Sequence, residues 1–305
     1  MTFGSVPAQV PFGAWLGDIA DVVSMWTGDV SVNADLLKTH RRDHLLAVVT
    51  SGNQKWFAKG FAPDAKEDFE NEVAAYVHFA GQALTPELAY VNEDLLFFVT
   101  EIGPPLKLSD LEGAELREHL AKIPHLYIQS LGGPGCRERP GEYASFENKH
   151  RSLSEHQSMQ MLPSPARVKS LVSSLPRIPV HGDFQPANIL TDGDGTLVLV
   201  DFESYGKGLP AVDVARLACN PLLELEWDER QELARSMLAA ISQVGYPLVT
   251  DEQYAACCAY WAICCSAFFS RVIERDSSPL NGISDISALA GVPLEFAAKL
   301  WNESV

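Results

Sequence analysis

The sequence predicts an α+β chain of two lobes, a small N-terminal lobe built on an antiparallel sheet and a larger, mainly helical C-terminal lobe. Three observations carry this expectation. Strand-like runs crowd the first hundred residues, the break Gly103-Pro104-Pro105 follows the last of them, and beyond residue 213 nearly every segment has helical periodicity. The boundary falls at the break, giving lobes of residues 1–102 and 103–305. With 305 residues, 47% of them hydrophobic and 21% charged, the chain can bury a sizeable core.

Each element follows from local chemistry. His44-Leu-Leu-Ala-Val-Val-Thr50 is rich in β-formers, Ser51-Gly52-Asn53-Gln54 is turn chemistry, and Lys55-Trp-Phe-Ala-Lys-Gly60 resumes a strand, which together make a hairpin. In Asp68–Phe79 and just beyond, apolar residues at 69, 73, 76, 77 and 80 form a helical stripe. Asp94-Leu-Leu-Phe-Phe-Val-Thr100 reads as a buried strand. Residues 111–131 predict one helix, and the segment 132–165, rich in Gly, Pro, Ser and Glu and without a clear period, is expected to include an exposed loop. After a short apolar approach to Val180 and a polar loop, Thr196–Asp201 predicts a strand; helices are expected over 212–219, 228–244, 251–275 and 293–301. There is no internal repeat.

Charge and cysteines exclude some classes. The formal net charge is −17, with 6 Lys/Arg against 14 Asp/Glu in residues 1–103 and 17 against 26 in the rest, so no basic block can follow a phosphodiester backbone. Nucleic acid is therefore not an expected partner. An acidic surface steers cations, although it also serves solubility alone. None of the six cysteines forms a CxxC pair, and four lie at 257, 258, 264 and 265 in one apolar helical stretch, which predicts buried free thiols in a reducing compartment. The longest uncharged apolar stretch, Tyr254–Phe269, is 16 residues, short of the ~20 that span a bilayer. No export signal is visible at Met1-Thr2-Phe3-Gly4-Ser5, so a cytoplasmic protein without membrane attachment is expected; the oligomeric state stays open.

The chemistry concentrates in His181-Gly-Asp183-Phe-Gln-Pro-Ala-Asn188, followed by Val200-Asp201-Phe-Glu203. Phosphoryl transfer needs an acceptor hydroxyl held in line, a carboxylate to take its proton, and oxygen ligands for Mg²⁺. A tight polar loop can present an Asp and an Asn five residues apart around one phosphate, and a carboxylate at a neighbouring strand end completes a magnesium site. Hard oxygen donors without Cys or a second His argue against zinc. The pattern H-x-D-x₄-N arises by chance roughly 0.01 times in a chain with 8 His, 18 Asp and 9 Asn. The bland alternative is a capped loop in which Asp183 and Asn188 bond backbone amides.

These segments resemble the aminoglycoside phosphotransferase and choline kinase family, whose fold is protein-kinase-like. Val180–Leu190 resembles that family's H-G-D-x-x-x-x-N loop, Leu197–Glu203 its magnesium-binding strand end, and Gly208-Leu-Pro-Ala-Val-Asp213-Val-Ala-Arg-Leu217 its G-x-P-x-x-D-[LV]-A segment. The resemblance implies a bilobal kinase with the nucleotide between its lobes. It implies that Asp183 orients the acceptor hydroxyl and takes its proton, that Asn188 and Asp201 bind Mg²⁺, that His181 braces the loop, and that Asp213 anchors the loop backbone. Lys59 resembles the strand lysine on the α- and β-phosphates, with Glu72 as its partner and Glu70 as the rival. The Thr100 carbonyl and Ile102 amide would hold the purine of ATP or GTP.

Departures matter too. Gly182 and Glu203 replace the Arg and Gly of protein kinases, which points to small-molecule acceptors. Lys38–Asp43 contains no glycine, so the phosphate cover is unassigned, and no Walker sequence is present. For the acceptor, Glu203 and the acids of 224–229 are available to a cation, and Trp227, Tyr254, Tyr260 and Trp261 to a ring; a solvated helix start and an aromatic core explain the same residues. The function expected is an O-phosphotransferase acting on an antibiotic or sugar-like acceptor. The rivals are a metabolic kinase for choline, homoserine or a sugar, and a catalytically idle kinase-like binding module.

Overall fold

The computed structural model describes residues 12–29, 31–37, 44–133, 146–192, 194–275 and 286–304, without side chains at 12–16, 271–275 and 286–290. The chain divides into two compact units, residues 1–104 and 105–305.

The first unit runs α1 (Phe12–Thr27), β1 (Asn33–Leu37), β2 (His44–Ser51), β3 (Gln54–Phe61), α2 (Lys66–Phe79), β4 (Leu88–Asn92) and β5 (Phe97–Glu101). The strands form one antiparallel sheet in the order β1-β2-β3-β5-β4. The expected hairpin is β2–β3, in register from His44↔Phe61 to Ser51↔Gln54 around Gly52-Asn53. Strand alternation then sorts its side chains. Trp56 and Ala58 pack with Ala47, Val49, Phe97 and Val99 beneath Ile19 and Val23 of α1. Lys59 and Phe61 take the opposite face, where Phe61 lies 5.6 Å from Phe69 and Tyr76 lies 5.3 Å from Phe98, ring centre to ring centre.

Two expectations for this unit are corrected. The strand read from Asp94 begins at Phe97, because Glu93–Leu96 form a turn in which Leu95 donates to Asn92 Oδ1 (2.9 Å) and Leu96 has φ +50°. That turn creates a second hairpin whose first strand, β4, was not anticipated; nor were α1 and β1. In α2 the buried face is Phe69, Glu72, Ala75, Tyr76 and Phe79, while Val77 is 61% exposed, so the stripe is rotated from the apolar reading. A charged residue replaces an apolar one inside it.

The second unit runs β6 (Leu106–Lys107), α3 (Gly113–Leu120), α4 (Ile123–Gln129), α5 (Phe146–Ser152), α6 (Pro165–Ser173), β7 (Ile178–Val180), β8 (Ile189–Thr191), β9 (Leu197–Leu199), β10 (Gly206–Gly208), α7 (Pro210–Ala218), α8 (Trp227–Gln243), α9 (Asp251–Arg275) and α10 (Ile286–Ser304). Its strands make two small antiparallel sheets, β6-β8-β9 and β10-β7. The single helix expected over 111–131 is two, because Pro124 lacks the N–H that would continue α3 and instead sits in the first turn of α4. The segment 132–165, expected to include an exposed loop, contains α5, and residues 134–145 lie outside the described residues.

Helix α9 is the centre of this unit: Tyr254–Ile263 are all buried, and α5, α6, α7 and α10 pack around it. After α7, Arg230 ties down the connection to α8 by donating to the carbonyls of Ala218, Asn220, Leu223 and Leu225. No helix among the described residues is long and apolar enough to cross a membrane.

Candidate active site

In the second unit, the segment from β7 to α7 positions the polar residues singled out in the sequence. β7 pairs with β10 so closely that a Cβ on Gly208 would meet Val180 Cγ2 at 2.6 Å, which accounts for glycine there. Past Val180 the chain turns through Gly182, whose φ of +76° lies in the left-handed region that glycine enters without strain. His181 and Phe184 are fully buried on either side of the turn. The apolar anchor at 184 and the loop's hydrogen bonds together hold Asp183 part-exposed at the surface of the unit.

The hydrogen bonds fix the protonation of His181. Its Nδ1 accepts the Asp183 N–H at 3.3 Å, so Nε2 carries the proton and donates to the Val200 carbonyl at 3.1 Å. Burial pushes the imidazole pKa down, against the opposing pull of Asp213, Asp183 and Asp201. A neutral ring therefore links the loop to the end of β9.

Asp183 is held at both carboxylate oxygens. Oδ2 accepts from Asn188 Nδ2 and Gln185 Nε2, each at 2.9 Å, and Oδ1 lies 3.2 Å from Arg216 Nη1. Asn188 Nδ2 also donates to the Asp183 carbonyl (3.0 Å), so the amide nitrogen is spent on the loop and Oδ1 is the atom left for a cation. Asn188's own carbonyl accepts the Val200 N–H at 3.1 Å, which brings the loop within one residue of Asp201. Asp201 has φ +66° and ψ +64°, a conformation costing about 1–2 kcal/mol for a residue with a Cβ and retained where the surroundings enforce it. Its carboxylate lies within 4.8 Å of that of Glu203.

Asp213, 2% exposed in α7, accepts the Gly182 N–H at 2.9 Å and the Tyr127 hydroxyl at 3.4 Å. Burial and the Asp213 charge push the Tyr127 phenol far up, so it remains a donor. Arg216, one turn along α7, donates to the Gly182 carbonyl and lies 3.6 Å from Asp213 Oδ1.

In the first unit, Lys59 Nζ meets Glu72 Oε2 at 2.7 Å, with side-chain exposures of 7% and 1%. This contact explains the carboxylate inside the buried face of α2. Glu70, the rival partner, lies on the exposed side with Lys66 at 3.5 Å. Thr100 is buried in β5, and Ile102, the first residue beyond that strand, is 45% exposed. Residues 38–43, left without a phosphate-covering role by the sequence, lie outside the described residues.

The tryptophans put forward for the acceptor pack within the second unit. Trp227 stacks on Phe296 at 4.6 Å and has Lys299 Nζ 4.0 Å from its ring centre, so both neighbours belong to α10. Trp261 is 6% exposed in the core of α9. Glu226 and Glu229 form a capping box at the start of α8, and Glu229 also pairs with Arg117 at 2.5 Å, which makes those acids a helix start. Sequence reasoning missed Arg216, Gln185 and Tyr127. Only the three-residue spacing of Asp213 and Arg216, which puts both on one helical face, signals any of them.

A model of the phosphotransferase enzyme family matches residues 42–248, about two thirds of the chain. The chain belongs to that family. It is a small-molecule phosphotransferase. Among solved structures, this phosphotransferase is similar to a choline kinase from Streptococcus pneumoniae (TM-score 0.58, 17% identity, covering 92% of this chain and 98% of that one). It is also similar to a choline/ethanolamine kinase family protein from Mesorhizobium loti (TM-score 0.62, 16% identity, 94% of both chains). A third likeness is to a thermostable mutant of an aminoglycoside phosphotransferase in ternary complex with AMP-PNP and hygromycin B (TM-score 0.57, 17% identity, 93% and 98%). At these identities the likeness shows the fold, which is protein-kinase-like. No curated protein sequence matches the chain.

Proposed function

We propose that this phosphotransferase moves the γ-phosphoryl group of Mg-ATP or Mg-GTP to a hydroxyl of a small molecule. The observation that carries the reading is the loop in which the Asp183 carboxylate meets the Asn188 amide at 2.9 Å, joined to the strand end that bears Asp201. Asp183 would receive the acceptor hydroxyl and take its proton, because its carboxylate is held at both oxygens and part-exposed. His181 and Asp213 would keep the loop in shape through the bonds described above.

A magnesium ion fits the donor set. Asn188 Oδ1 and the Asp201 carboxylate are hard oxygens, and the amide nitrogen of Asn188 is already committed elsewhere. When bound, the ion would neutralise charge on the phosphate oxygens. Lys59, oriented by Glu72, would contact the α- and β-phosphates, and the backbone of Thr100 and Ile102 would hold the purine. An idle binding module would have no need of Lys59, Asp183, Asn188 and Asp201 together.

For the acceptor we favour an antibiotic of aminoglycoside or cationic-peptide type, in accord with the net charge of −17, or a sugar-like polyol, on which that charge has no bearing. A metabolic acceptor such as choline, homoserine or a sugar is the second reading, supported by the choline kinase likeness. The test is incubation with γ-labelled ATP and GTP against aminoglycosides, peptide antibiotics, sugars and amino alcohols. Label appearing in one compound as a phosphate ester supports the reading. Absence of transfer to any member, together with no binding of either Mg-nucleotide, overturns it.

A further inference from the structure

The peptide between His181 and Asp183 is gripped from both ends by one helix. Asp213 takes the Gly182 N–H at 2.9 Å, and Arg216, three residues on, donates to the Gly182 carbonyl. Gly182 has no Cβ and sits at φ +76°, so local sterics do little to restrict rotation there. Rotation about that residue would swing the Asp183 carboxylate. The clamp from α7 opposes it, alongside the Asp183 N–H bond to His181 Nδ1 and the buried Phe184.

Arg216 also reaches the carboxylate itself. The two amides on Asp183 Oδ2, from Asn188 and Gln185, belong to the same loop and would move with it. Oδ1 faces Arg216 Nη1 at 3.2 Å, a contact that ties Asp183 to the helical body of the unit. The guanidinium side chain is 20% exposed, so these interactions are only partly screened. It stands between two aspartates, Asp183 at 3.2 Å and Asp213 at 3.6 Å, with a neutral His181 nearby. A planar fork of donors can serve a carbonyl and two carboxylates at once, whereas an ammonium acts as a point charge.

We infer that Arg216 is a positioning residue for phosphoryl transfer, fixing the Gly182 peptide and the Asp183 carboxylate in the orientation that receives the acceptor hydroxyl. The inference rests on the role given to Asp183 above. Misplacing a reacting group by about 1 Å can cost ~100-fold in rate, which is the scale of loss expected when Arg216 is removed.

The experiment compares wild type, Arg216→Ala, Arg216→Lys, Asp183→Asn and the Arg216→Ala/Asp183→Asn pair. The probe is slow Mg-ATP hydrolysis, with water as acceptor, alongside equilibrium binding of Mg-AMP-PNP. Arg216→Ala should lower kcat ~100-fold while leaving the KM for Mg-ATP and the Kd for Mg-AMP-PNP nearly unchanged. Arg216→Lys should recover only a small part, and added guanidinium should restore part of the Arg216→Ala rate. In the Asp183→Asn background the arginine change should bring no further loss, since residues acting as a unit are not additive.

A wild-type rate in Arg216→Ala, a proportional loss of nucleotide affinity, or the same fold loss in both backgrounds would overturn the inference. Should Arg216→Ala fail to fold, the Arg216→Lys rate decides, full activity there counting against the fork. If Asp183→Asn itself runs at the wild-type rate, the assignment of Asp183 fails instead.

Discussion

Removing the ammonium of Lys59 separates stability from nucleotide binding in the first unit. Lys59 and Glu72 meet at 2.7 Å with 7% and 1% of their side chains exposed. At an effective dielectric of ~20 the attraction at that distance is about 6 kcal/mol, comparable with the several kcal/mol that desolvating each ion costs. The pair is therefore close to neutral against an uncharged replacement, but losing one partner strands the other's charge in the interior. Lys59→Met should destabilise by about 3–5 kcal/mol, and Lys59→Met/Glu72→Gln should recover most of that loss. Trp26 and Trp56, 5.5 Å apart in the same unit, make tryptophan fluorescence during urea unfolding a suitable probe. Mg-ATP affinity should fall in both variants, because neither has the lysine. Equal stability of Lys59→Met and wild type, or a double variant at least as unstable as the single, would show that no stranded charge is left in the interior.

Two further outcomes are expected. Asn188→Ala and Asp201→Asn should each raise the Mg²⁺ concentration for half-maximal rate about tenfold or more, read by titrating Mg²⁺ at saturating nucleotide. His181 is buried neutral with a lowered pKa, so the unfolded chain binds its proton first on acidification. Stability should be fully present above pH ~6.5 and fall as pH drops below it, by up to ~1.4 kcal/mol per unit until the folded ring titrates; urea midpoints across that range, with His181→Asn showing a shallower slope, check the sign.

The sequence made some elements legible because local and tertiary preferences agree there. The β2–β3 hairpin has alternating strands around Gly52-Asn53, and α7 to α9 repeat apolar residues at helical spacing, so burial and pattern coincide. β4, Leu88–Asn92, was hidden because its residues are only half-buried and do not alternate. The break between α3 and α4 was written in Pro124 but masked by the continuous periodicity around it.

At the candidate site, the spacing of His181, Asp183 and Asn188 was visible because those residues lie within one tight loop. Arg216 was not, because with Asp213 it forms the polar face of a helix whose other residues are apolar, and such a face reads as solvated; only the fold reveals that this face meets the Gly182 peptide. The rotated face of α2 has the same origin, since Glu72 is buried by a partner thirteen residues earlier in the chain. Trp227 and Trp261 show the converse, residues chemically suited to an acceptor whose rings pack against helices of the same unit.

The central claim is that Asp183 serves the acceptor hydroxyl while other residues hold the nucleotide. Its most direct measurement is transfer of labelled γ-phosphate by Asp183→Asn beside wild type, with Mg-AMP-PNP affinity measured on the same preparations. Unchanged nucleotide affinity with transfer reduced by ~100-fold or more is predicted. Full transfer by the variant would contradict the account.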